Sequence, residues 1–254
     1  MAEAALGLSF AAFVVFTVSG KRPALYVWAH RGVGLSALCL LGLLVYRSVL
    51  ISFPALTGGY EGLVFLSGAL SAFLYLGEKR VLRSNHVLMA GGAFASFLYL
   101  ALLSSPLVSP ALHAPIPILR SHWLLLHVSL TFIGLALFTL AAVAGVLGFF
   151  QGSPEAIDRA RDTSVAIGFV FYVTGGLVFG AVWAEAAWGR FWGWDPKETW
   201  ALVTSLFYAG YLHLRYGAKV GNRTARVLVI TAWLLAAFTF WGVNALLPGL
   251  HSYA

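Results

Sequence analysis

Residues 122–150 read HWLLLHVSLTFIGLALFTLAAVAGVLGFF and contain no Asp, Glu, Lys or Arg. A helix needs about 20 apolar residues to cross the hydrocarbon core of a bilayer, so this segment predicts a membrane-spanning helix. The rest of the 254-residue chain has the same character, because 60% of it is hydrophobic and only 10% is charged. Soluble domains carry about 25% charged residues. We therefore expect an all-α, polytopic membrane protein.

The chain contains about eight apolar runs of this kind. The loops between them are too short to fold as separate units, so residues 1–254 are expected to form a single integral membrane domain. No basic region precedes the first run and no small-residue cleavage site follows it, so we expect it to be retained as a helix. The predicted spans are 4–20, 24–50, 60–77, 86–105, 122–150, 164–184, 199–216 and 225–247.

The distribution of basic residues predicts that both termini lie outside. Lys and Arg favour cytoplasmic loops, and this orientation places all but four of the 16 Lys and Arg residues at inner loops. The four that lie outside are Arg47, Arg120, Arg190 and Lys197. The outer side then carries the Pro-rich loop 104–121, the aromatic segment 183–200 and the tail 248–254.

Charge and cysteine content exclude several classes of function. The formal net charge of +7 does not indicate a nucleic-acid-binding protein, because the basic residues occur in short clusters between apolar runs. Cys39 is the only cysteine, so the chain has no internal disulfide, no Cys-x-x-Cys pair and no Cys-x-x-Cys-His haem-attachment site. The protein is therefore neither a thiol relay nor a c-type cytochrome.

The aromatic segment 183–200 reads WAEAAWGRFWGWDPKETW. Indoles prefer the membrane interface, and an interfacial belt is the simpler interpretation for Trp183 or Trp200 taken alone. A belt needs scattered tryptophans, whereas this segment concentrates them around Gly189 and Gly193, which lack side-chain bulk. We interpret it as a platform for a planar apolar ligand, built on Trp188, Gly189, Trp192, Trp194 and Asp195.

Asp195 also has a structural role in this interpretation. The order Asp195-Pro196-Lys197-Glu198 is typical of a helix start, with Asp at the N-cap, Pro at the first helical position and Glu at the third. Arg190 and Lys197 could pair with carboxylates of a ligand, and Arg is better suited to a bidentate contact. For each of these two cations alone, a solvated position at the rim is the simpler interpretation.

The histidines are sorted by their predicted depth in the membrane. His30 and His86 lie beside inner basic clusters, and His113 lies in an outer loop, so all three are expected near water. His122 and His127 are five residues apart on one helix, so only one of them should face a site. We favour His127, which lies deeper and needs a partner when buried.

Two further histidines complete the candidate set. His251 follows the last span on the same outer side as His127, and His213 lies in the inner half of the membrane, where it needs a partner. An aromatic bed with two outer histidines suggests a haem with two imidazole ligands. Zinc or copper fits less well, because either metal would need three or four ligands at short spacing.

At these residues the chain resembles the haem-handling protein family that carries the tryptophan-rich WWD motif, and within it the CcsA (ResC) branch of the System II cytochrome c synthases. The WWD motif is matched within 188–195, and the continuation PKETW at 196–200 is similar to the CcsA branch. Residues 121–128, 211–213 and 242–253 resemble the segments that bear the family's histidines. The resemblance covers residues from about 54 onward, so we treat 54–254 as the haem-handling region.

The resemblance implies a function and a set of ligands. Haem b would be a transiently bound substrate that reaches an inner site at His213 and is then held at the outer platform between His127 and His251. Its vinyl groups would there form thioether bonds with a Cys-x-x-Cys-His apocytochrome c. The chain would be one component of a holocytochrome c synthase (cytochrome c haem-lyase), in the cell's inner (plasma) membrane, with its active site on the extracytoplasmic side.

A partner protein is also implied. The chain lacks the large outer domain and the second inner histidine that the CcsB (ResB) partner supplies in the family, so we expect an obligate complex with a CcsB/ResB-like membrane protein. The nearest alternative is a haem exporter or chaperone that leaves ligation to another protein. A transmembrane electron-transfer cytochrome would need two facing histidine pairs, and a purely structural subunit would leave His127, His213 and His251 unexplained.

Overall fold

The computed structural model describes residues 1–19, 22–82, 85–150, 155–247 and 249. The described residues form helices and loops, with no strand among them. The helices are α1 Ala2–Ser19, α2 Pro23–Ile51, α3 Gly59–Gly77, α4 His86–Leu103, α5 His122–Phe150, α6 Glu155–Tyr172, α7 Gly180–Trp188, α8 Pro196–Leu212, α9 Asn222–Ala237 and α10 Val243–Leu246. The predicted all-α, polytopic architecture is confirmed.

Helix α5 lies at the centre of the molecule. It packs against α3 and α4 on one side, and against α6, α7 and α9 on the other. Helices α1 to α4 form one antiparallel group, in which α1 contacts α2 and α4, while α8 contacts α6 and α9 in the second group. The most apolar part of α5 is 67% buried, so this helix joins the two groups through its whole circumference.

Seven helices of the described chain are long and apolar enough to cross a membrane. They match all the predicted spans except 199–216, which is helical but does not belong to this set. The sixth begins at Glu155 and runs to Trp188, so it starts earlier than the predicted 164. The count of eight spans and the location of both termini outside stay predictions.

Three π-helical segments interrupt the regular α-helices. Val173–Phe179 joins α6 to α7, His213–Gly217 continues α8, and Phe238–Gly242 joins α9 to α10. A π-helical turn changes which face of a helix its side chains occupy, and such turns are frequent at functional sites. Two of these segments, 173–179 and 238–242, lie at the cavity described in the next subsection.

Buried hydroxyl groups connect the helix groups inside the apolar core. Thr139 on α5 lies 2.8 Å from the Tyr99 hydroxyl of α4 and accepts a hydrogen bond of 3.1 Å from Nε1 of Trp233 on α9. Polar groups in hydrocarbon need protein partners, so contacts of this kind hold neighbouring spans in register. They link α4, α5 and α9 at one point.

The Pro-rich loop 104–121 is fixed to the helices at both of its ends. Arg47 and Glu61 form a buried ion pair of 2.5 Å, and Arg47 also donates to the carbonyl oxygen of Pro110 at 3.1 Å. Trp183 donates through Nε1 to the carbonyl oxygen of Ile118 at 3.5 Å. Apart from the short 3₁₀ turn Pro117–Leu119, the loop is irregular, as its prolines predict.

A buried ion cluster joins α6 to α8 and α9 at the other end of the molecule. Arg161 has a fully buried side chain and pairs with Asp158 at 2.6 Å and with Asp162 at 2.8 Å. Asp158 also pairs with Arg226 at 3.0 Å, and Asp162 with Arg215 at 2.7 Å. The sequence predicted inner-loop positions for these arginines, whereas Arg161 and Arg226 are buried on helices, because each meets a carboxylate of another turn or helix.

Replacing Arg161 with Met should strongly destabilise the protein. The change leaves buried carboxylates short of a partner, and removal of one member of a buried ion pair costs about 3–5 kcal/mol. The matched control is Arg159→Met on the same helix. Arg159 is exposed and pairs only with Glu155, so its loss should change the free energy of unfolding by less than about 0.5 kcal/mol. Unfolding in detergent measures both variants, and equal losses would contradict the prediction.

Candidate functional site

A cavity of about 120 Å³ lies between α5, the segments 173–179 and 238–242, and the start of α8. Its walls are mostly apolar and aromatic, with a few polar side chains among them. The polar side chains at the cavity are His127, Thr131, Tyr172, Lys197, Glu198 and Thr239.

His127 lies in the second turn of α5 and lines this cavity. Its Nδ1 atom is 2.8 Å from the carbonyl oxygen of Gly175. A carbonyl oxygen only accepts hydrogen bonds, so Nδ1 carries the proton. In the neutral ring Nε2 is then the unprotonated nitrogen, which is the form that binds a metal ion. The contact therefore selects the tautomer and the orientation of the His127 ring.

Glycines allow α5 to approach the π-helical segment closely enough for this contact. A Cβ atom on Gly175 would lie 2.5 Å from the backbone nitrogen of Thr131. One on Gly180 would lie 3.0 Å from Nδ1 of His127. The Gly175 carbonyl also accepts the N–H of Gly180, so both of its lone pairs are used. Side chains at these two positions would separate the helices or displace the imidazole.

Two indoles of the aromatic segment extend from His127. The His127 ring is nearly parallel to that of Trp183, with centroids 6.1 Å apart and an interplanar angle of 10°. Trp183 is buried, and Trp188 meets it edge to face at 4.8 Å. Trp188 is half-buried at the end of α7. The histidine and this part of the motif therefore form one aromatic layer.

Trp192 and Trp194 occupy different environments. Trp192 lines the cavity, and its Nε1 is buried without a hydrogen-bond partner among the residues described. Trp194 is 70% exposed and its ring is perpendicular to that of Trp192, at 88°. Its φ of 56° lies in the left-handed region, which is uncommon for a side chain of this size. The structure thus brings Trp192, but not Trp194, to the cavity beside His127.

The sequence suggested that Gly189 and Gly193 leave room for a ligand. The structure gives each of these glycines a different role. Gly189 ends α7 with a φ of 70°, and a Cβ there would meet no atom within 4 Å. It is needed for its left-handed backbone, not to let a neighbour approach. A Cβ on Gly193 would lie 2.8 Å from Nε of Arg190, which is the flexible end of a side chain. The turn therefore depends on Gly189 for its shape.

The predicted helix start at Asp195 is confirmed. Its side chain accepts the N–H of Lys197 at 3.0 Å, and Glu198 accepts the N–H groups of Gly193 at 2.8 Å and Asp195 at 3.2 Å. This is a complete capping box with Pro196 in the first turn. It fixes the exit of the aromatic segment to the first turn of α8.

Lys197 follows this cap, ahead of the predicted span 199–216. Its ammonium donates to Oδ1 of Asn244 at 3.2 Å and lies 5.9 Å from the ring centroid of Phe240. Burial lowers the pKa of the Lys197 ammonium, while the negative charge of Asp195 acts in the opposite direction. The cavity therefore holds one partly desolvated cation.

The other histidines of the described ranges do not line this cavity. His213 begins the segment 213–217 and is exposed on the helix surface. His122 and His113 are exposed, and His30 is half-buried with its Nε2 3.0 Å from the Tyr75 carbonyl oxygen. His251 lies outside the described residues. Within the described ranges no group of three or more His, Cys, Asp or Glu side chains could hold a metal ion.

Comparison with known proteins places the chain in a family. A family model described as "Cytochrome C assembly protein" matches residues 56–251. The chain belongs to the cytochrome c assembly protein family. The match covers the cavity, the aromatic segment and all the candidate histidines, so the resemblance to the CcsA-type family is confirmed.

Individual relatives agree with this family. The chain is 30% identical to the cytochrome c biogenesis protein CcsA of Cucumis sativus over 288 aligned residues, covering 90% of this chain and 86% of the relative. It is 34% identical to Protein NrfI of Wolinella succinogenes, covering 87% of this chain and 25% of NrfI. Among solved structures it is similar to Cytochrome c Heme Lyase CcmF, with a TM-score of 0.72. At 14% identity, over 94% of this chain and 45% of CcmF, that likeness shows a shared fold.

Several cavity residues of this cytochrome c assembly family member were missed in the sequence. The cavity is also lined by Tyr172, Thr239 and Phe240. The hydroxyl oxygens of Thr239 and Thr204 are 2.9 Å apart. Their helices come together only in the folded protein, so spacing along the chain gave no sign of them. The paired glycines at 175–176, inside an apolar run, were the available signal.

Replacing Asp195 with Ala should lower the free energy of unfolding by about 1 kcal/mol, because the first turn of α8 loses its side-chain cap. Asp195→Asn keeps an acceptor oxygen and should remain within about 0.5 kcal/mol of the parent protein. Thermal unfolding of the two variants in detergent measures the difference. An Asn variant as unstable as the Ala variant would show that charge, and not capping, explains Asp195.

Proposed function

We propose that this chain carries haem across the membrane and presents it for thioether attachment to a Cys-x-x-Cys-His apocytochrome c, as the membrane subunit of a cytochrome c synthase. Membership of the cytochrome c assembly family gives the general role in cytochrome c biogenesis. The observation that carries the finer proposal is the position of His127. It lines a cavity next to Trp192 of the WWD segment, with its ring fixed by the Gly175 carbonyl.

The outer site would hold haem b as a transient substrate between two imidazoles. His127 supplies one ligand through Nε2, and the resemblance assigns the other to His251. Support for the second assignment comes from Gly249, which packs against the WWD segment. A Cβ on Gly249 would lie 2.4 Å from Oδ1 of Asp195 and 3.1 Å from Cδ of Pro196. The chain therefore runs beside the motif two residues before His251.

The remaining WWD residues would shape the site without binding iron. Trp192 lies at the cavity wall, Trp188 continues the aromatic layer behind His127, and Gly189 and Asp195 fix the turn between α7 and α8. Trp194 is exposed on the outer face, where an arriving apocytochrome could contact it. No residue of this chain is assigned as an acid, base or nucleophile.

An inner haem site would require a second protein. His213 is exposed on the surface of its helix, so a haem bound there must take its other axial ligand from outside this helix bundle. We propose that a CcsB/ResB-like membrane protein supplies it and that the active complex is obligate. The chain corresponds to 25% of the length of NrfI and 45% of CcmF, so both proteins contain further segments that this chain does not match.

The reaction itself needs no group transfer by this chain. Each thiol adds across a vinyl group, so that sulfur bonds to one carbon and the hydrogen goes to the other. The acceptor's own histidine would then replace one of the two outer ligands and release the product. Ligation by two imidazoles in a largely apolar site would protect ferrous iron from oxidation during transit.

Replacing His127 with Gly should lower the haem that copurifies with the protein by at least about tenfold, because losing even a group that orients a metal ligand costs about 10- to 100-fold in affinity. Imidazole added to the medium should restore part of the haem by occupying the vacated position. His122→Gly on the same helix is the matched control and should keep its haem, since His122 is exposed. Absorption spectra of the purified proteins measure haem content, and equal haem in both variants would remove His127 from the site.

Incubating the purified complex with a Cys-x-x-Cys-His apocytochrome and ferrous haem separates the proposal from its nearest alternative. We expect haem to remain attached to the acceptor after denaturation, because a thioether is covalent. Transferable haem that separates on denaturation would instead identify a haem exporter or chaperone. An acceptor in which both cysteines are replaced by Ser is the control and should retain no haem.

A further inference from the structure

Among the described residues, two hydrogen-bond donors at the cavity have no carboxylate within hydrogen-bond or ion-pair distance. Nε1 of Trp192 is buried and has no acceptor within the described part of the chain. The Lys197 ammonium donates to a neutral amide oxygen of Asn244, and no carboxylate of the described residues forms an ion pair with it. Both side chains line the same cavity. Burying a cation or an N–H group raises the free energy of the folded protein unless a hydrogen-bond acceptor contacts it.

The nearby carboxylates of Glu198 and Asp195 bond to the backbone of the helix start and to neither donor. Oε2 of Glu198 accepts the N–H groups of Gly193 and Asp195, and Oδ2 of Asp195 accepts the N–H of Lys197. These bonds form the cap of α8 and would be lost if either carboxylate turned to a side-chain donor. The missing acceptor is therefore expected from a ligand.

We propose that Lys197 and the indole N–H of Trp192 form a carboxylate-binding subsite of the outer cavity, and that it recognises a free propionate of the porphyrin. This inference rests on the proposed function, since it names a chemical feature of the same ligand. A carboxylate accepts several hydrogen bonds, so one propionate can serve both the ammonium and the indole. The aromatic wall at Phe240 accommodates the apolar edge beside it.

The subsite would also set the orientation of the substrate. In haem b the two propionates lie on one edge of the ring and the two vinyl groups lie across from it. Holding a propionate at Lys197 directs the vinyl groups away from the start of α8. Both thioethers form at those vinyl groups, so the subsite would leave the reacting edge open to the acceptor's thiols.

Arg190 is not part of this subsite, although guanidinium groups suit bidentate carboxylate contacts. Arg190 is exposed and does not line the cavity. Its guanidinium lies over Gly193, where a Cβ would be 2.9 Å from its Nη2. The sequence predicted a solvated rim position for each cation taken alone, with Arg better suited to a bidentate contact, whereas in the structure Lys197 lines the cavity and Arg190 does not.

The test compares haem b with its dimethyl ester, in which both propionates are blocked. The purified full chain is titrated with each porphyrin and the dissociation constants are taken from absorbance. We expect the parent protein to bind haem b about tenfold more tightly than the ester, as one charge-assisted hydrogen bond predicts. Lys197→Met should remove this preference and leave ester binding unchanged, so ester binding also reports that the variant is folded.

Three further variants sharpen the result. Lys197→Arg should keep the preference for haem b, and Trp192→Phe, which loses only the N–H donor, should reduce it severalfold. Lys79→Met, at an exposed lysine outside the cavity, is the control and should behave like the parent protein. Equal affinity of the parent protein for haem b and its ester overturns the subsite while leaving the haem site in place. Failure to bind either porphyrin overturns the proposed function itself.

Discussion

The hydrogen bond from His127 to the Gly175 carbonyl is the contact on which the site depends. It joins α5, the most buried span, to the π-helical segment that continues α6. The bond requires the two backbones to approach so closely that Gly175 has no room for a side chain. It also needs a carbonyl that can accept twice, from the imidazole and from the N–H of Gly180. This one hydrogen bond therefore links the packing of α5, the π-helical turn at 173–179 and the tautomer of His127.

Buried polar groups find their partners differently at the two ends of the helix bundle. At the end that carries the Arg161 cluster, Asp158 and Asp162 each form ion pairs with arginines, so both buried carboxylates are satisfied within the cluster. At the cavity end, Glu198 is used by the backbone cap, and Lys197 donates to a neutral amide, lies near an aromatic ring and feels the charge of Asp195. An internally satisfied network stabilises a fold, whereas an incompletely satisfied one is suited to binding. The buried charges therefore stabilise the fold at the Arg161 end, whereas Lys197 lines a candidate site at the cavity end.

Features that depend on neighbouring residues could be predicted from the sequence. The helix start at Asp195 follows from four consecutive residues, and the preference for His127 over His122 follows from helix geometry. Features that depend on contacts between distant segments could not be predicted in this way. The early start of the sixth span is one case, since Glu155 to Asp162 look too polar for a membrane helix until Arg215 and Arg226 pair with them. The inward position of Trp192 is another, because the cavity that it lines is completed by residues of α5 and of the segment 238–242.

The proposed transient binding of haem would need a fixed ligand and a wall that can move. His127 is fixed, because it lies on a central helix and its ring is bonded to the backbone of a second segment. The opposite wall lies in the non-helical turn between α7 and α8, where Gly189 is tied to α7 through the carbonyl of Glu185 and Gly193 is tied to Glu198. Only residues 190–192 lie between those two anchors, and this stretch includes the exposed Phe191 and the indole of Trp192. Under the proposed function, substrate exchange would need a rearrangement of these three residues and would leave His127 in place.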